Sequence, residues 1–397
     1  MKNHLLHTPD GVRDIYNGEC KKKLLLQDKL HEVLLKYGCK DIQTPTFEFF
    51  DIFNSQVGTI PSKDLYKFFD KEGNTLVLRP DFTPSVARSA AKYYMDEAMP
   101  VKLCYMGNTF INSSDYQGRL KETTQCGAEV IGDASVYADA EVLAMVVDSL
   151  KSAGLKEFQI SVGHARFFRG LLEAAGLDEE EEEVLRDFIS NKNFFGLEEF
   201  IETLEISDEL KELFGLLGNF DLKDDELVVA KEKATKYPSI ISAIEELEEL
   251  KKYLCMYQID SYISFELGII SSYHYYTGII FAGYTFGTGE VLVKGGRYDK
   301  LLSHFGKNAP SIGFGIVVDQ LLAALSRQKI ELTEDENTVL LVFSDKNSAD
   351  AIHKSMELRK NEIHVETIRK SEEKSKDDYL TYAKKNNIKT VEFMDGV

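Results

Sequence analysis

The chain has 397 residues, of which 43% are hydrophobic, and it carries a formal net charge of −19 at pH 7. This length allows two or three domains with at least one sizeable core. The sequence contains no run of about 18 apolar residues, which argues against a membrane-spanning helix, and its acidic balance argues against non-specific binding of nucleic acid, which depends on Lys and Arg.

The first part of the chain predicts a mixture of helices and strands. An amphipathic helix is expected where apolar residues recur at helical spacing before Gly38, and a hairpin where two strand-like runs flank a turn. In chain order the expected elements are a helix over 21–36, an extended stretch over 40–53, a hairpin over 63–79, a helix that opens at 81–84, strands over 101–106 and 126–131, and a helix over 138–152.

The middle of the chain is predicted to be helical, acidic and poor in strands, from about residue 167 to residue 254. Its acidic run, DEEEEE over 178–183, is typical of a solvated helical face, and an interaction patch is the alternative. Beyond it the pattern predicts three further strands and a helix, over 261–270, 275–284, 289–296 and 317–328.

The end of the chain alternates between apolar strands and amphipathic helices after a polar break near residue 330. The expected order is a strand over 338–344, a helix over 349–361, a strand over 364–369, a helix over 377–387 and a strand over 390–394. A βαβαβ order of this kind predicts a small domain with a parallel sheet.

Several classes of site are not indicated by the sequence. The five cysteines are odd in number, scattered and free of any CxxC pair, which is typical of reduced thiols in a cytoplasmic protein and not of a zinc site. The N-terminus lacks the apolar core and cleavage site of a secretory signal. No P-loop, dinucleotide fingerprint or HExxH motif is present, so no metal or cofactor is predicted.

Four polar residues near predicted element ends are candidates for binding a small ligand. Asp81 and Thr83 open a helix, where they either cap backbone N–H groups or hold an ammonium group of a ligand. Gln125 and Glu129 are four residues apart on a predicted strand and therefore share one face. That face is either an exposed polar surface or the wall of a pocket for a small polar ligand.

Two further segments offer candidates beside predicted strands. Tyr275 and Tyr276 precede a strand, where tyrosines serve more often in packing than in ligand contact. Arg297 follows two glycines, Gly295 and Gly296, which allow close backbone approach. Its guanidinium offers a bidentate grip on a carboxylate, and a plain turn is the alternative.

Five motifs follow one another in a fixed order along the chain. They are TPDGVRD (8–14), LRPDFTPSVAR (78–88), QCGAEVIG (125–132), YYTGIIF (275–281) and GGRYDKL (295–301). Together they resemble the histidyl-tRNA synthetase fold over roughly residues 8–325. They are similar above all to the non-synthetase relatives of that enzyme, the regulatory subunits of short-form ATP phosphoribosyltransferase. The C-terminal unit is similar, more weakly, to the start of a synthetase anticodon-binding domain.

The resemblance implies an α+β fold of the class II synthetase type, an antiparallel sheet flanked by helices with a ligand pocket on the sheet. It implies that Asp81, Thr83 and Gln125 face the amino group of a bound histidine. It places Glu129 and the paired tyrosines, Tyr276 ahead of Tyr275, near the imidazole, and carboxylate, amide and hydroxyl groups suit those partners.

The departures from the family pattern distinguish its two branches. Arginines that a synthetase uses for ATP phosphates are replaced by Ile111, Ser271 and Gln320, and Lys121 stands where another arginine is usual. A synthetase needs such cations because charge develops on the α-phosphate during activation. The loss at Ser271 also removes an arginine that would hold the histidine carboxylate, and Arg297 is the substitute considered.

The resemblance therefore implies a regulatory subunit that binds an ATP phosphoribosyltransferase catalytic subunit and transmits histidine feedback in the first step of histidine biosynthesis. A homodimer within a hetero-octamer is expected, and binding of tRNA is not. The alternatives are a divergent histidyl-tRNA synthetase and a free-standing amino-acid sensor. The expected domains are a synthetase-like domain over 1–166 and 256–328, a helical insertion over 167–255, and a truncated anticodon-binding-like domain over 335–397.

Overall fold

The computed structural model describes residues 6–53, 60–112, 119–270, 275–332 and 338–394. The chain forms two compact units, residues 1–332 and 333–397. In the described part of the chain, no helix is both long enough and apolar enough to cross a membrane.

The first unit contains eleven strands and ten helices among its described residues. Its strands are β1 (Lys40–Asp41), β2 (Phe47–Phe49), β3 (Lys67–Phe69), β4 (Thr75–Leu78), β5 (Val101–Phe110), β6 (Glu122–Ile131), β7 (Gln159–His164), β8 (Ile263–Phe265), β9 (Ile279–Tyr284), β10 (Val293–Arg297) and β11 (Ser311–Val317). Its helices are α1 (Asn17–Lys36), α2 (Thr83–Tyr93), α3 (Val136–Ser152), α4 (Ala165–Ala175), α5 (Glu179–Ser190), α6 (Phe194–Thr203), α7 (Asp208–Gly215), α8 (Asp224–Lys233), α9 (Pro238–Met256) and α10 (Val318–Arg327).

An eight-stranded sheet forms the centre of this unit, in the order β1-β5-β6-β11-β10-β9-β7-β8. Its strand pairs are antiparallel except at the two edges, where β1 pairs with β5 and β7 pairs with β8 in parallel. The fold class predicted from the sequence is confirmed.

The two faces of the large sheet bury different clusters. One face packs against α1, α3 and α10 in the main core, where α3 is buried on almost every side. The other face carries α2 and a smaller cluster that includes Phe82, Tyr105, Tyr276 and Tyr298. The cavity described below opens on this second face.

A small antiparallel sheet, in the order β2-β4-β3, precedes α2. Its β3–β4 pair confirms the predicted hairpin, with Phe69 paired to Thr75 beside the turn. Four phenylalanine rings on this sheet are exposed to solvent, those of Phe47, Phe49, Phe68 and Phe69.

Helices α4 to α9 follow β7 and occupy the predicted helical stretch. Their apolar faces join the main core through residues such as Leu213, Phe214 and Leu247. Asp178 caps α5 through a reciprocal pair of hydrogen bonds with Glu181, while Glu179, Glu180 and Glu183 are exposed. The acidic run is therefore a helix N-terminus with a solvated face, where carboxylates also complement the helix dipole.

The second unit has the predicted βαβαβ order. Its elements are β12 (Thr338–Phe343), α11 (Ser348–Lys360), β13 (His364–Arg369), α12 (Lys376–Lys385) and β14 (Thr390–Met394). The sheet order is β13-β12-β14 and both pairs are parallel, as predicted.

Two strands of the large sheet were not predicted from the sequence. One is β7, which lies before the helical region, and the other is β11, in the centre of the sheet. Strand β11 reads SIGFGIV, and its two glycines, Gly313 and Gly315, weaken the strand signal. Strands β5 and β6 are also longer than predicted, because each continues toward the loop that joins them.

Candidate functional site

A cavity of about 410 Å³ lies on the second face of the large sheet, a volume within the range of roughly 300–1,000 Å³ usual for small-molecule sites. Strands β6, β10 and β11 form its floor, and the N-terminus of α2 forms part of its wall. Five of the seven predicted site residues line it: Asp81, Thr83, Gln125, Tyr275 and Tyr276.

Glycines in the floor make room for side chains that lie across the sheet. A Cβ at Gly313 would fall 1.6 Å from Oε2 of Glu129, and one at Gly315 would fall 1.8 Å from Nε2 of Gln125. A Cβ at Gly296 would meet the Tyr276 ring at 2.7 Å. All of these separations are far inside van der Waals contact. Backbone oxygens also obstruct a Cβ at Gly313 and Gly296, whereas at Gly315 the obstructing atoms all belong to the Gln125 side chain.

Glu129 lies beneath the inner end of the cavity and is only 1% exposed. The Thr83 hydroxyl donates to its Oε1 at 2.8 Å, the Tyr298 hydroxyl donates to its Oε2, and the Tyr105 hydroxyl is 3.5 Å from Oε1. Burial raises the pKa of Glu129 to about 8, although these hydrogen bonds oppose the shift. The exposed-face alternative for Glu129 is therefore wrong.

The state of this carboxyl bears on what it can bind. Because burial raises its pKa, the protonated form of Glu129 is favoured near neutral pH. A neutral carboxyl both donates and accepts hydrogen bonds, and a nearby cation would favour its ionised form. Either form suits a ring that carries two nitrogens.

Asp81 also lines the cavity, in the turn that leads into α2. Its Oδ1 accepts a hydrogen bond from the backbone N–H of Phe82 at 2.7 Å. Burial raises the pKa of Asp81, and hydrogen bonds from Phe82, Thr83 and Gln125 oppose that shift. Asp81 and Gln125 both line the cavity and hydrogen-bond to each other, and their side-chain oxygens are acceptors of the kind that an ammonium group requires.

The turn that carries Asp81 is fixed by Arg79. This side chain is 6% exposed, donates to the backbone oxygens of Asn108 at 2.8 Å and Thr44 at 2.9 Å, and lies over the Phe82 ring. The Phe82 ring stacks on Tyr105 in turn, with centroids 4.4 Å apart. The helix-cap alternative fails for Thr83, since its hydroxyl donates to Glu129 and α2 has no side-chain cap.

Tyr275 and Tyr276 form one side of the cavity. Their ring centroids are 4.6 Å apart, and Tyr275 meets Tyr298 edge-on at 6.0 Å. Tyr276 is buried in the smaller cluster and also reaches a second cavity beside α4. Both tyrosines therefore pack in the smaller cluster and also line the cavity.

The outer end of the cavity holds polar and charged groups. Ile111, Lys121 and Gln320 line it, so two of the three positions expected to lack an arginine face this space. Ser271, the third, lies outside the described residues. Glu290 accepts from Arg119 at 2.8 Å and from Gln320 at 2.7 Å, and Lys121 donates to Asn112 at 3.2 Å.

Arg297 is not brought together with the other predicted residues. It is 4% exposed and points to the opposite face of the sheet, where its Nε and its Nη2 lie 2.9 Å and 2.7 Å from Oδ1 of Asp139. It also donates to the backbone oxygens of Asp133 and Ser135 and to Asp299. Its donors are used within the protein, so the structure gives Arg297 a role in holding α3 to β10. The turn alternative is also wrong, because Gly295 and Gly296 lie inside that strand.

Sequence reasoning missed several residues of this site. They are Tyr105, Tyr298, Lys294, Gly313 and Gly315. For Lys294 and Tyr298 a usable signal existed, because alternation along a strand places residues 294, 296 and 298 on one face and Arg297 on the other. For the β11 glycines no signal existed without the sheet order.

Comparisons with known proteins agree along most of the chain. Residues 11–321 match the family model of histidyl-tRNA synthetase. An ATP phosphoribosyltransferase regulatory subunit of Acetivibrio thermocellus is 39% identical over 92% of this chain and 87% of the relative. One of Clostridium kluyveri is 35% identical over 96% of this chain and 97% of the relative.

Solved structures show the same relationship. The structure of an ATP phosphoribosyltransferase regulatory subunit/histidyl-tRNA synthetase from Bacillus halodurans is 31% identical, covers 100% of both chains and has a TM-score of 0.86. A histidyl-tRNA synthetase from a Nostoc species, 20% identical over 97% of this chain and 90% of that chain with a TM-score of 0.80, shares the fold.

Proposed function

Because the chain belongs to the family of ATP phosphoribosyltransferase regulatory subunits, which share the histidyl-tRNA synthetase fold, we propose that it is a non-catalytic subunit that binds histidine and passes feedback to a separate catalytic chain. That catalytic chain joins ATP and phosphoribosyl pyrophosphate in the first step of histidine biosynthesis. Activation and feedback would both pass through the complex of the two chains.

The observation that carries this proposal is the contrast between the two ends of one cavity. The inner end keeps polar groups that suit an amino acid, Asp81 and Gln125 in its lining and Glu129 behind the lining, bound to Thr83. The outer end contains Arg119 and Lys121, which are bound to Glu290 and Asn112, but it has Ile111 and Gln320 where a synthetase would offer arginines to ATP phosphates. Activation of an amino acid builds charge on the α-phosphate, and cations must stabilise it. The cavity is thus better suited to recognition than to activation.

The proposed position of histidine follows from the chemistry of each wall. Its ammonium lies against Asp81 and Gln125, and its imidazole lies toward Glu129 and Tyr276. Thr83 supports the second contact through its hydrogen bond to Glu129, which orients the carboxyl. Arg297 is left out of this arrangement because its donors are already used.

Feedback through this cavity requires two states of the complex that bind histidine unequally. A ligand shifts such an equilibrium only by its difference in affinity for the two states. By the family resemblance, we propose a homodimer within a hetero-octamer. We also propose that the chain comprises a synthetase-like domain, a helical insertion and a C-terminal domain.

Mixing the purified chains tests the proposal. The catalytic chain is expected to show much higher ATP phosphoribosyltransferase activity with this protein than without it, and unchanged activity would contradict the regulatory role. Histidine-dependent ATP–pyrophosphate exchange by this chain alone would instead support the alternative of a divergent synthetase.

A further inference from the structure

Lys294 lines the cavity from strand β10 and is exposed. It lies on β10, on the face shared with Gly296 and opposite to Arg297. On the neighbouring strand it pairs with Gly315, over which the Gln125 amide lies. Since adjacent strands are about 4.8 Å apart, the base of the Lys294 side chain lies beside the amide of Gln125.

The Lys294 ammonium lacks a counter-ion of its own within the described part of the chain. Among the described residues none forms a hydrogen bond or an ion pair with it, although Asp81 and Glu290 attract it and Arg119 repels it. Glu290 is already bound by Arg119 and Gln320. Lys294 as a whole is exposed, yet desolvation lowers the pKa of its ammonium. An anion placed beside the ammonium would favour its charged form and would itself be stabilised by that charge.

An amino acid presents its two charges at adjacent positions, and the cavity offers the complementary pair. Asp81 is the anion and Lys294 is the cation, and the two are close enough to influence each other's pKa. The Gln125 amide lies beside Lys294 and hydrogen-bonds with Asp81. An ammonium held by Asp81 and Gln125 would therefore leave its carboxylate on the side of Lys294.

We propose that Lys294 binds the α-carboxylate of the amino acid that occupies this cavity. The assignment rests on the proposed histidine-binding function and supplies the carboxylate contact that Arg297 does not make. It makes Lys294 a determinant of specificity, because the cavity then selects a zwitterion over an amine that carries the same ring.

The test compares histidine with histidinol, in which an alcohol replaces the carboxylate, by isothermal titration calorimetry. We expect the wild-type chain to bind histidine at least about tenfold more tightly than histidinol, the loss typical of one charge-assisted hydrogen bond. Lys294→Met should bind both ligands with the affinity that the wild type shows for histidinol. Lys294→Arg should recover most of the preference.

Lys300→Met is the matched control, since Lys300 is exposed beyond the end of β10 and the substitution removes the same charge. It should keep the wild-type preference. If Lys294→Met keeps that preference while remaining folded by circular dichroism, Lys294 does not bind the carboxylate, and the proposed function is untouched. If the wild type binds no histidine, the histidine-binding proposal itself fails and this assignment falls with it.

Discussion

Gly315→Ala should weaken histidine binding without changing any residue that touches the ligand. The added Cβ would lie 1.8 Å from Nε2, 2.8 Å from Cδ and 3.1 Å from Cγ of Gln125. All three atoms belong to one flexible side chain, so the Gln125 amide must leave its place over the floor. One hydrogen bond to a charged group contributes about 1.5–3 kcal/mol, so we expect Kd for histidine to rise roughly 10- to 150-fold.

The fold should tolerate this change better than binding does. The cost of overpacking is about 1–3 kcal/mol, and it should fall at the lower end because no backbone atom obstructs the new methyl group among the nearest contacts. Calorimetry gives Kd and urea denaturation gives stability. Gly289→Ala, at the rim of the same cavity with open space around its Cβ position, is the control. An unchanged Kd in Gly315→Ala would refute the proposed role of the Gln125 amide.

Two further predictions concern buried charge. The pKa of Glu129 is raised in the folded protein to about 8, above the unfolded value of about 4.3. Between those two pH values the folded state therefore holds a proton that the unfolded state has lost. The free energy of unfolding should fall with rising pH across that window, and it should fall more in wild type than in Glu129→Gln. If urea denaturation gives both proteins the same change in free energy between pH 5 and pH 8, the assignment is contradicted. Arg297→Met should cost about 3–5 kcal/mol because it leaves the Asp139 carboxyl buried without its cation. The double variant Arg297→Met/Asp139→Leu should recover much of that loss, and a double variant no more stable than the single one would argue against the ion pair as the cause.

The regular elements of the fold were predictable where local pattern and tertiary role agree. Helix α1 and the C-terminal unit show clear periodicity, because each has one buried and one solvated face. Strand β11 was missed for a physical reason. Its glycines lower strand propensity, yet they are needed there because Glu129 and Gln125 cross the sheet above them. The residues that break the local pattern are the ones that shape the cavity.

The site was predictable in its composition and less so in its geometry. The resemblance to the synthetase family and strand alternation selected Gln125 and Glu129, and the structure places both at the cavity with Asp81 and Thr83. Arg297 was chosen for its chemistry without regard to strand parity, and it lies on the other face. The basic residue of β10 that lines the cavity is Lys294, three residues before Arg297. Strand alternation alone puts Lys294 and Arg297 on opposite faces, but which of those faces carries the cavity depends on the pairing of β10 with β9 and β11.

The most direct test of the account is the histidine inhibition of reconstituted ATP phosphoribosyltransferase, measured with wild type and with Gln125→Ala. We expect both proteins to activate the catalytic chain, since Gln125 lies in the cavity floor, and only the wild-type complex to be inhibited at low histidine concentration. The Gln125→Ala complex should require a histidine concentration about tenfold higher or more. Equal inhibition of the two complexes would contradict the claim that this cavity carries the feedback.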